Sequence, residues 1–313
     1  MTVTTGVVLM TYGSPRDLDD VGAYITRVRG GREPSPELLT EFRRRYERIG
    51  MSPLIEITRQ QSSALQDRLG ADFRVAAGMR FSEPSIATAI AELGSVDRVL
   101  GVILSPQYSA TLMGGYHQAL AQAAGDLPSR TVEAWHLNPA FVDVLASRVR
   151  AALARYPDDG RDKVPVLLTA HSLPKRVVDR EPEYVAQLEE TARAVADAAD
   201  LAPERWFFVY QSAGHTPEEW LKPDMLDVLP ELATRGYRDV VVAPVQFLAD
   251  HLETLYDVDV AGREQALEAG FANFVRIDAP NAAPDFVETL ASVVRGELAA
   301  WRSARSGAAW AVA

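Results

Sequence analysis

No cysteine occurs anywhere in the 313 residues. Disulfides, thiolate zinc sites and cysteine-ligated iron–sulfur clusters are thereby excluded. No apolar run reaches the length of about 18 residues that a membrane-spanning helix needs, and the opening MTVTTGVVLM lacks the basic segment that begins a secretory signal. The cytoplasm is the expected compartment, with no integral membrane segment. A basic surplus is missing too: 43 acidic against 32 basic residues leave a net charge of −11, which argues against nucleic acid as a partner. There is no GxxxxGK, no GxGxxG after a strand and no GxSxG elbow, so nucleotide, dinucleotide and acyl-transfer readings lack support. The five histidines, His117, His136, His171, His215 and His251, show neither HxH nor HxxxH spacing, which removes the common zinc patterns.

What is present suits a large soluble core: 47% of residues are hydrophobic and 24% charged. Apolar runs bounded by glycine or proline predict strands at 6–11, 73–77, 98–104, 131–136, 164–170, 206–210, 239–243 and 273–277. Between them, helices are predicted at 17–28, 36–49 with Gly50 as the stop, 57–69, 85–93, 116–124, 139–155, 182–199, 217–235 with an interruption near Pro223, 263–269 and 284–301. Residues 109–115 read as a glycine-bearing loop, 157–160 as a linker, and 250–258 as one or two helical turns. Strand–helix alternation implies an α/β fold with parallel sheets and right-handed crossovers.

The halves look related. LMTYGSP (9–15) matches LLTAHSLP (167–174), and VILSPQYS (102–109) matches VVAPVQFL (241–248). Two similar Rossmann-like lobes are expected, 1–156 and 157–313, with the active-site cleft between them. The final helix is free to pack back on the first lobe, and 302–313 is expected to be a flexible tail. In open α/β sheets ligands bind beyond the carboxyl ends of strands, so Tyr12 and His171 should approach the cleft from equivalent positions.

Two stretches carry candidate chemistry. VLLTAHSLP (166–174) runs a buried strand into His171, which sits on a turn at the strand end; the alternative is a histidine that only hydrogen-bonds to a loop. ADHLETLYD (249–257) places Asp250, Glu253 and Asp257 on one helical face; the alternative is a capping box of Asp250 and Glu253. Together, His171 and Glu253 suit a borderline divalent ion. Between positions 27 and 48 lie Arg27, Arg29, Arg32, Arg43, Arg44, Arg45 and Arg48 against only four glutamates, Glu33, Glu37, Glu41 and Glu47. That excess fits either a solvated helix with pairs such as Glu41–Arg45 or a clamp for an anion.

These motifs, in order and over nearly the whole chain, resemble the ferrochelatase family. The resemblance is carried by MTYGSP, RVRGGREP, RRRYERIGMSPL, LSPQYSATLMGGY, TAHSLP, QSAGHTPEEWLKPD and PVQFLADHLETLYDVD. It is greatest to the soluble bacterial enzymes that metallate coproporphyrin III. The resemblance implies a lyase of haem biosynthesis that inserts Fe²⁺, its substrate metal, and releases two protons to give coprohaem. It also implies that His171 and Glu253 are catalytic and contact the metal. Tyr12 would ligate product iron from the opposite face, while Arg29, Arg45, Tyr46, Ser52 and Tyr116 would bind propionates. A monomer with transient handover to a coprohaem decarboxylase is expected.

Coproporphyrin has four propionates and protoporphyrin IX two, so the arginine supply favours the former. A protoporphyrin IX enzyme and a non-catalytic porphyrin or haem carrier are the alternatives; a cobalt chelatase should carry additional metal-binding histidines. The chain departs from the family pattern at Phe81, where many relatives carry histidine, at Gly30 and Ala261, and in DREPEY (179–184). The Ala261 departure removes the expectation of an outer metal site. Ser212 and Trp220 follow the pattern, Trp220 being equally suited to a wall or core position.

Overall fold

The computed structural model describes residues 3–214 and 218–308. Within them, eight strands form two parallel four-stranded sheets. The first contains β1 (Thr5–Thr11), β2 (Phe73–Met79), β3 (Arg98–Ile103) and β4 (Ser129–Val132) in the order β2-β1-β3-β4. The second contains β5 (Val166–His171), β6 (Trp206–Gln211), β7 (Asp239–Pro244) and β8 (Asn273–Arg276) in the order β6-β5-β7-β8. Strand for strand, the second half repeats the first. Segments 9–15 and 167–174 leave the inner strands β1 and β5, and 102–109 and 241–248 leave β3 and β7, so the matched motifs occupy matched sheet positions. Every residue of β1 and β3 is buried, as expected for inner parallel strands covered by helices on both faces.

The helices are α1 (Val21–Val28), α2 (Pro36–Ile49), α3 (Leu54–Leu69), α4 (Ile86–Glu92), α5 (Ala110–Ala124), α6 (Pro139–Leu153), the single turns α7 (Asp158–Arg161) and α8 (Lys175–Val178), α9 (Pro182–Ala198), α10 (Met225–Thr234), α11 (Arg263–Glu268) and α12 (Pro284–Ala308). A wider π-helical segment, Glu253–Gly262, precedes α11. Gly50 ends α2 in the left-handed region at φ 72°, which favours glycine. None of the helices is long and apolar enough to cross a membrane, among the described residues.

One apolar core joins the two sheets. Leu9 and Leu100 of the first, Leu168 and Val241 of the second, and Phe141, Leu145, Ala192, Phe286 and Leu290 from the intervening helices belong to a single buried cluster. Helix α12, last in the chain, packs on α3 and α6 of the first half. Arg148–Asp285 at 2.9 Å, Arg130–Glu297 at 2.7 Å and Arg68–Glu288 flank this contact.

Several boundaries differ from the sequence expectation, for local reasons. Residues 109–115 are not a loop: Ser109 Oγ accepts from Leu112 N at 3.1 Å and starts α5 at Ala110, carrying Gly114 and Gly115 inside the helix. Helix α1 starts only at Val21, because Asp17 Oδ1 accepts from Asp20 N at 2.9 Å and closes a turn instead. Helix α10 starts at Met225, where Asp224 caps it through Leu226 N at 2.8 Å; residues 215–217 of the expected 217–235 helix lie outside the described residues. The expected linker 157–160 forms the turn α7. The tail beyond Trp301 continues α12 to Ala308; 309–313 lie outside the described residues.

The shared core predicts cooperative unfolding. Phe286→Ala should cost about 3–5 kcal/mol and shift one denaturant transition that both halves follow. Two separable transitions, only one of them shifted, would contradict a continuous core.

Candidate active site

His171 is the last residue of β5, and its position is fixed from both sides. Its backbone N–H donates to Gln246 Oε1 at 2.7 Å, and Gln246 Nε2 donates to Tyr184 Oη at 2.6 Å. The ring Nδ1 lies against the carbonyl oxygen of Ser172. A carbonyl only accepts, so Nδ1 carries the proton, and Nε2 is the ring nitrogen turned towards Glu253. Nε2 stands 3.7 Å from Glu253 Oε1. That separation is an ion-pair distance, longer than a hydrogen bond.

Glu253 opens the π-helical segment, a kind of distortion that recurs at functional sites. Its backbone carbonyl accepts from Gln211 Nε2 at 3.3 Å, while Gln211 Oε1 accepts from Thr169 Oγ1 at 2.6 Å. Gln211 lies beside His171 in the sheet register. Strands β5 and β6 thus hold both members of the pair. The second carboxylate oxygen of Glu253 lies 3.7 Å from His251 Nε2, and His251 Nδ1 donates to Ala249 O at 2.9 Å. Removal from water would raise the Glu253 pKa, but the charges on His171 and His251 outweigh it and hold the carboxyl at about 2. Burial acts to lower the pKa of His251; Glu253, helped by the Ala249 carbonyl and Asp257, reverses this and raises it.

The expected line of three carboxylates resolves into two. Asp250 turns away: its carboxylate meets Arg276 Nη2 at 3.0 Å and accepts from Asn281 Nδ2 at 2.8 Å. The alternative capping box does not form either, since the N–H of Asp250 donates to Asn281 Oδ1 at 2.8 Å and its carboxylate is taken by Asn281 and Arg276. Asp257 remains near Glu253; burial and the Glu253 charge raise its pKa, whereas Ser212, Arg45 and His171 oppose the rise.

The first half brings its own groups to this point. Tyr12 follows β1 directly, is 44% exposed, and packs edge-on against Phe81 with ring centres 4.7 Å apart. Burial raises its phenol pKa, Arg80 lowers it and Glu253 raises it further. Tyr46 is buried, and burial followed by the Glu253 charge raises its pKa. Tyr116, on α5, is buried, and burial raises its pKa; Tyr12 adds to the rise and Arg80 opposes it.

The arginine segment is paired along its own helix and across the halves. Arg44 and Arg45 pair with Glu41 at 2.9 and 2.8 Å along α2. They also reach the other half. Arg45 meets Asp257 at 3.4 Å and stacks on Tyr256 at 5.1 Å, and Arg44 donates to the Tyr256 hydroxyl. Arg29 is exposed at the end of α1, and among the described residues its side chain meets no acceptor. Ser52 Oγ accepts from Leu54 N at 3.4 Å at the start of α3.

Two residues join the site without having been singled out from sequence. His251 lies two positions before Glu253 in the same motif. Arg80 lies between Phe81 and Tyr116, at 4.8 and 5.3 Å from their rings, and donates to Leu112 O at 3.2 Å. A methyl group at Gly115 would sit 2.1 Å from Arg80 Nη2, so the second glycine of MGGY is the sequence trace of this packing. No group of three or more acidic, histidine or cysteine side chains forms a metal cage among the described residues. A cavity of about 630 Å³ lies elsewhere, along β8, lined by Arg155, Asp259, Arg263 and Arg276.

The family model described as Ferrochelatase matches residues 4–298. A protein named Ferrochelatase from Herpetosiphon aurantiacus is 38% identical over 308 residues, covering 95% of this chain and all (100%) of the relative. Proteins named Coproporphyrin III ferrochelatase from Geobacillus kaustophilus and Bacillus subtilis are 37% and 35% identical, covering 93% and 94% of this chain and 95% and 97% of theirs. Among solved structures, CbiX, described as the terminal enzyme of sirohaem biosynthesis in denitrifying bacteria, aligns at TM-score 0.54 and 14% identity, over 94% of this chain and 98% of its own. SirB from Bacillus subtilis with Fe³⁺ aligns at TM-score 0.54 and 12% identity, over 94% of this chain and 95% of its own. These two likenesses bear on the fold alone, that of two Rossmann-like lobes.

The Glu253–His251 pair makes stability depend on pH in a definite direction. His251 has a raised folded pKa, so its contribution is complete below the ordinary imidazole value of 6.5 and is lost as pH rises through the folded value. Glu253 is depressed, so its contribution is present above 4.5 and lost as pH falls towards about 2. As pH rises above 6.5, the denaturant midpoint of the wild type should fall more steeply than that of Glu253→Gln. Equal slopes would show that the imidazole is not held by this carboxylate.

Proposed function

The chain belongs to the ferrochelatase family, and from that premise we propose that it inserts Fe²⁺ into coproporphyrin III with His171 and Glu253 as the catalytic, metal-contacting pair. It is a porphyrin metal chelatase, a lyase of haem biosynthesis. The observation that carries the assignment of the pair is the approach of His171 Nε2 to within 3.7 Å of an ionised Glu253.

The chemistry asks for this arrangement. A free porphyrin must lose two N–H protons as Fe²⁺ enters, and both the protons and the ion are positive charges arriving at one face of the ring. Nε2 of His171 is a base and a borderline-soft donor, suited to either arrival. With its pKa held at about 2, Glu253 retains protons poorly. Its role is to stabilise positive charge on the imidazole while the proton passes outward.

Tyr12 faces the opposite side of the ring, where it would ligate product iron. Arg29, Arg45, Tyr46, Ser52 and Tyr116 receive the propionates. Arg29 is open to an anion as it stands, whereas at Arg45 a propionate takes the place held by Asp257. Four propionates use this supply better than two, and the binding energy offsets the bending of the ring that insertion requires. On this reading the lobes 1–156 and 157–313 close on the ring from either side. The enzyme is a cytoplasmic monomer that passes coprohaem to a decarboxylase.

The test is anaerobic mixing of Fe²⁺ with each porphyrin, followed by the visible bands. Coproporphyrin III should exceed protoporphyrin IX in kcat/KM by roughly tenfold or more, as one additional charge-assisted contact would give. His171→Ala should lose roughly 100-fold or more in insertion rate while still binding the ring. Equal turnover of protoporphyrin would overturn the substrate, and full activity of folded His171→Ala would overturn the pair.

A further inference from the structure

The first turn of α5 is held by the other half of the protein. Thr111 donates from its backbone N–H to Glu181 Oε1 at 2.7 Å, and its hydroxyl donates to the same oxygen. Burial acts to raise the Glu181 pKa, but the hydroxyls of Ser109 and Thr111 and the N–H groups of Thr111 and Ala110 lower it overall, so the carboxylate is ionised. A carboxylate on these N–H groups satisfies the otherwise unpaired donors of the helix start and complements the helix dipole. Two rungs continue the contact along α9: Gln187 Oε1 accepts from Tyr108 N at 2.7 Å, and Thr191 Oγ1 accepts from Gln107 Nε2 at 2.9 Å. Leu112, one residue beyond Thr111, packs against the apolar clusters of both halves.

Both ends of this clasp lead to the site. On the α5 side, Leu112 O holds Arg80 and Tyr116 lies one turn further on. On the other side, Tyr184 is three residues after Glu181 and supports Gln246, which holds the backbone of His171. Glu181 lies in DREPEY, the segment that departs from the family pattern. We infer that Glu181 is a positioning residue: its carboxylate clasps the first turn of α5 and so sets the distance between the porphyrin wall carrying Tyr116 and Arg80 and the strand end carrying His171. It touches neither ring nor metal. Its effect is on how well the ring is gripped rather than on the insertion step.

The inference rests on the chelatase reading, and the experiment separates the two. Wild type, Glu181→Ala and Glu181→Gln are assayed with coproporphyrin III and Zn²⁺, varying each in turn. Glu181→Ala should raise KM for the porphyrin about fivefold, the loss of a charge-assisted contact, with KM for Zn²⁺ and kcat within about twofold on the same scale. Glu181→Gln keeps an acceptor for Thr111 N and should recover part of the porphyrin KM. An unchanged porphyrin KM in Glu181→Ala overturns the clasp, and so does a matched rise in both KM values with a fall in kcat, which would mean general damage. Should Glu181→Ala fail to fold, Thr111→Val, which keeps the backbone N–H and loses the hydroxyl, replaces it with the same expectations at smaller size. A wild type that metallates no porphyrin would instead overturn the chelatase reading.

Discussion

A carboxylate set between two imidazoles is the interaction on which the rest of the site depends. Taking Glu253 out of water disfavours its charge, and only His171 on one side and His251 on the other make the ionised form the stable one. The fold keeps all three in place with backbone contacts rather than long side-chain tethers. His171 is fixed by β5 and Gln246, Glu253 by Gln211, and His251 by the carbonyl of Ala249. Either 3.7 Å separation leaves the charged atoms near enough to stabilise one another and far enough apart not to be consumed in a hydrogen bond.

Such a site can exist only if the two halves do not drift. The apolar core runs through both sheets, and α12 returns to cover α3 and α6. At the site itself the tie is ionic. Arg44 and Arg45 of α2 reach Tyr256 and Asp257 on the π-helical segment that begins with Glu253. The arginine-rich segment therefore has a structural role besides the anion-binding one read from its charge. Local pairs with Glu41 orient the guanidinium groups, and their remaining donors span the halves. A wider helical turn at 253–262 suits this, because it shifts the side chains of Tyr256 and Asp257 from where an α-helix would put them.

How far the sequence disclosed this follows from the range of each force. Parallel strands buried on both faces are continuous apolar runs, so all eight were legible, and the repeated MTYGSP and TAHSLP patterns gave the equivalence of β1 and β5. Histidine at a strand end and the carboxylates of ADHLETLYD were visible for the same reason. Which carboxylate faces which partner was not. Asp250 is diverted by Arg276 and Asn281, both far along the chain. The capture of Arg80 above Gly115 and the clasp of Glu181 on the first turn of α5 are likewise long-range events. Local propensity has no term for them.

The internal repeat brings out what is different between its two copies. The ends of β1 and β5 are equivalent, yet one presents Tyr12 and the other His171. Around Tyr12, burial and the Glu253 charge push the phenol away from ionisation and Arg80 only partly compensates, so near neutral pH it is a poor proton acceptor. At His171 the Nδ1–H is fixed by a carbonyl and the free nitrogen points at a carboxylate, the arrangement that favours accepting a positive charge. On the proposed reading, a planar substrate between the two strand ends would meet a base on one face and a phenol on the other. Protons would then leave on the His171 side, and Tyr12 would ligate only product iron. The duplicated fold thus offers different chemistry at equivalent points through one exchange, tyrosine for histidine.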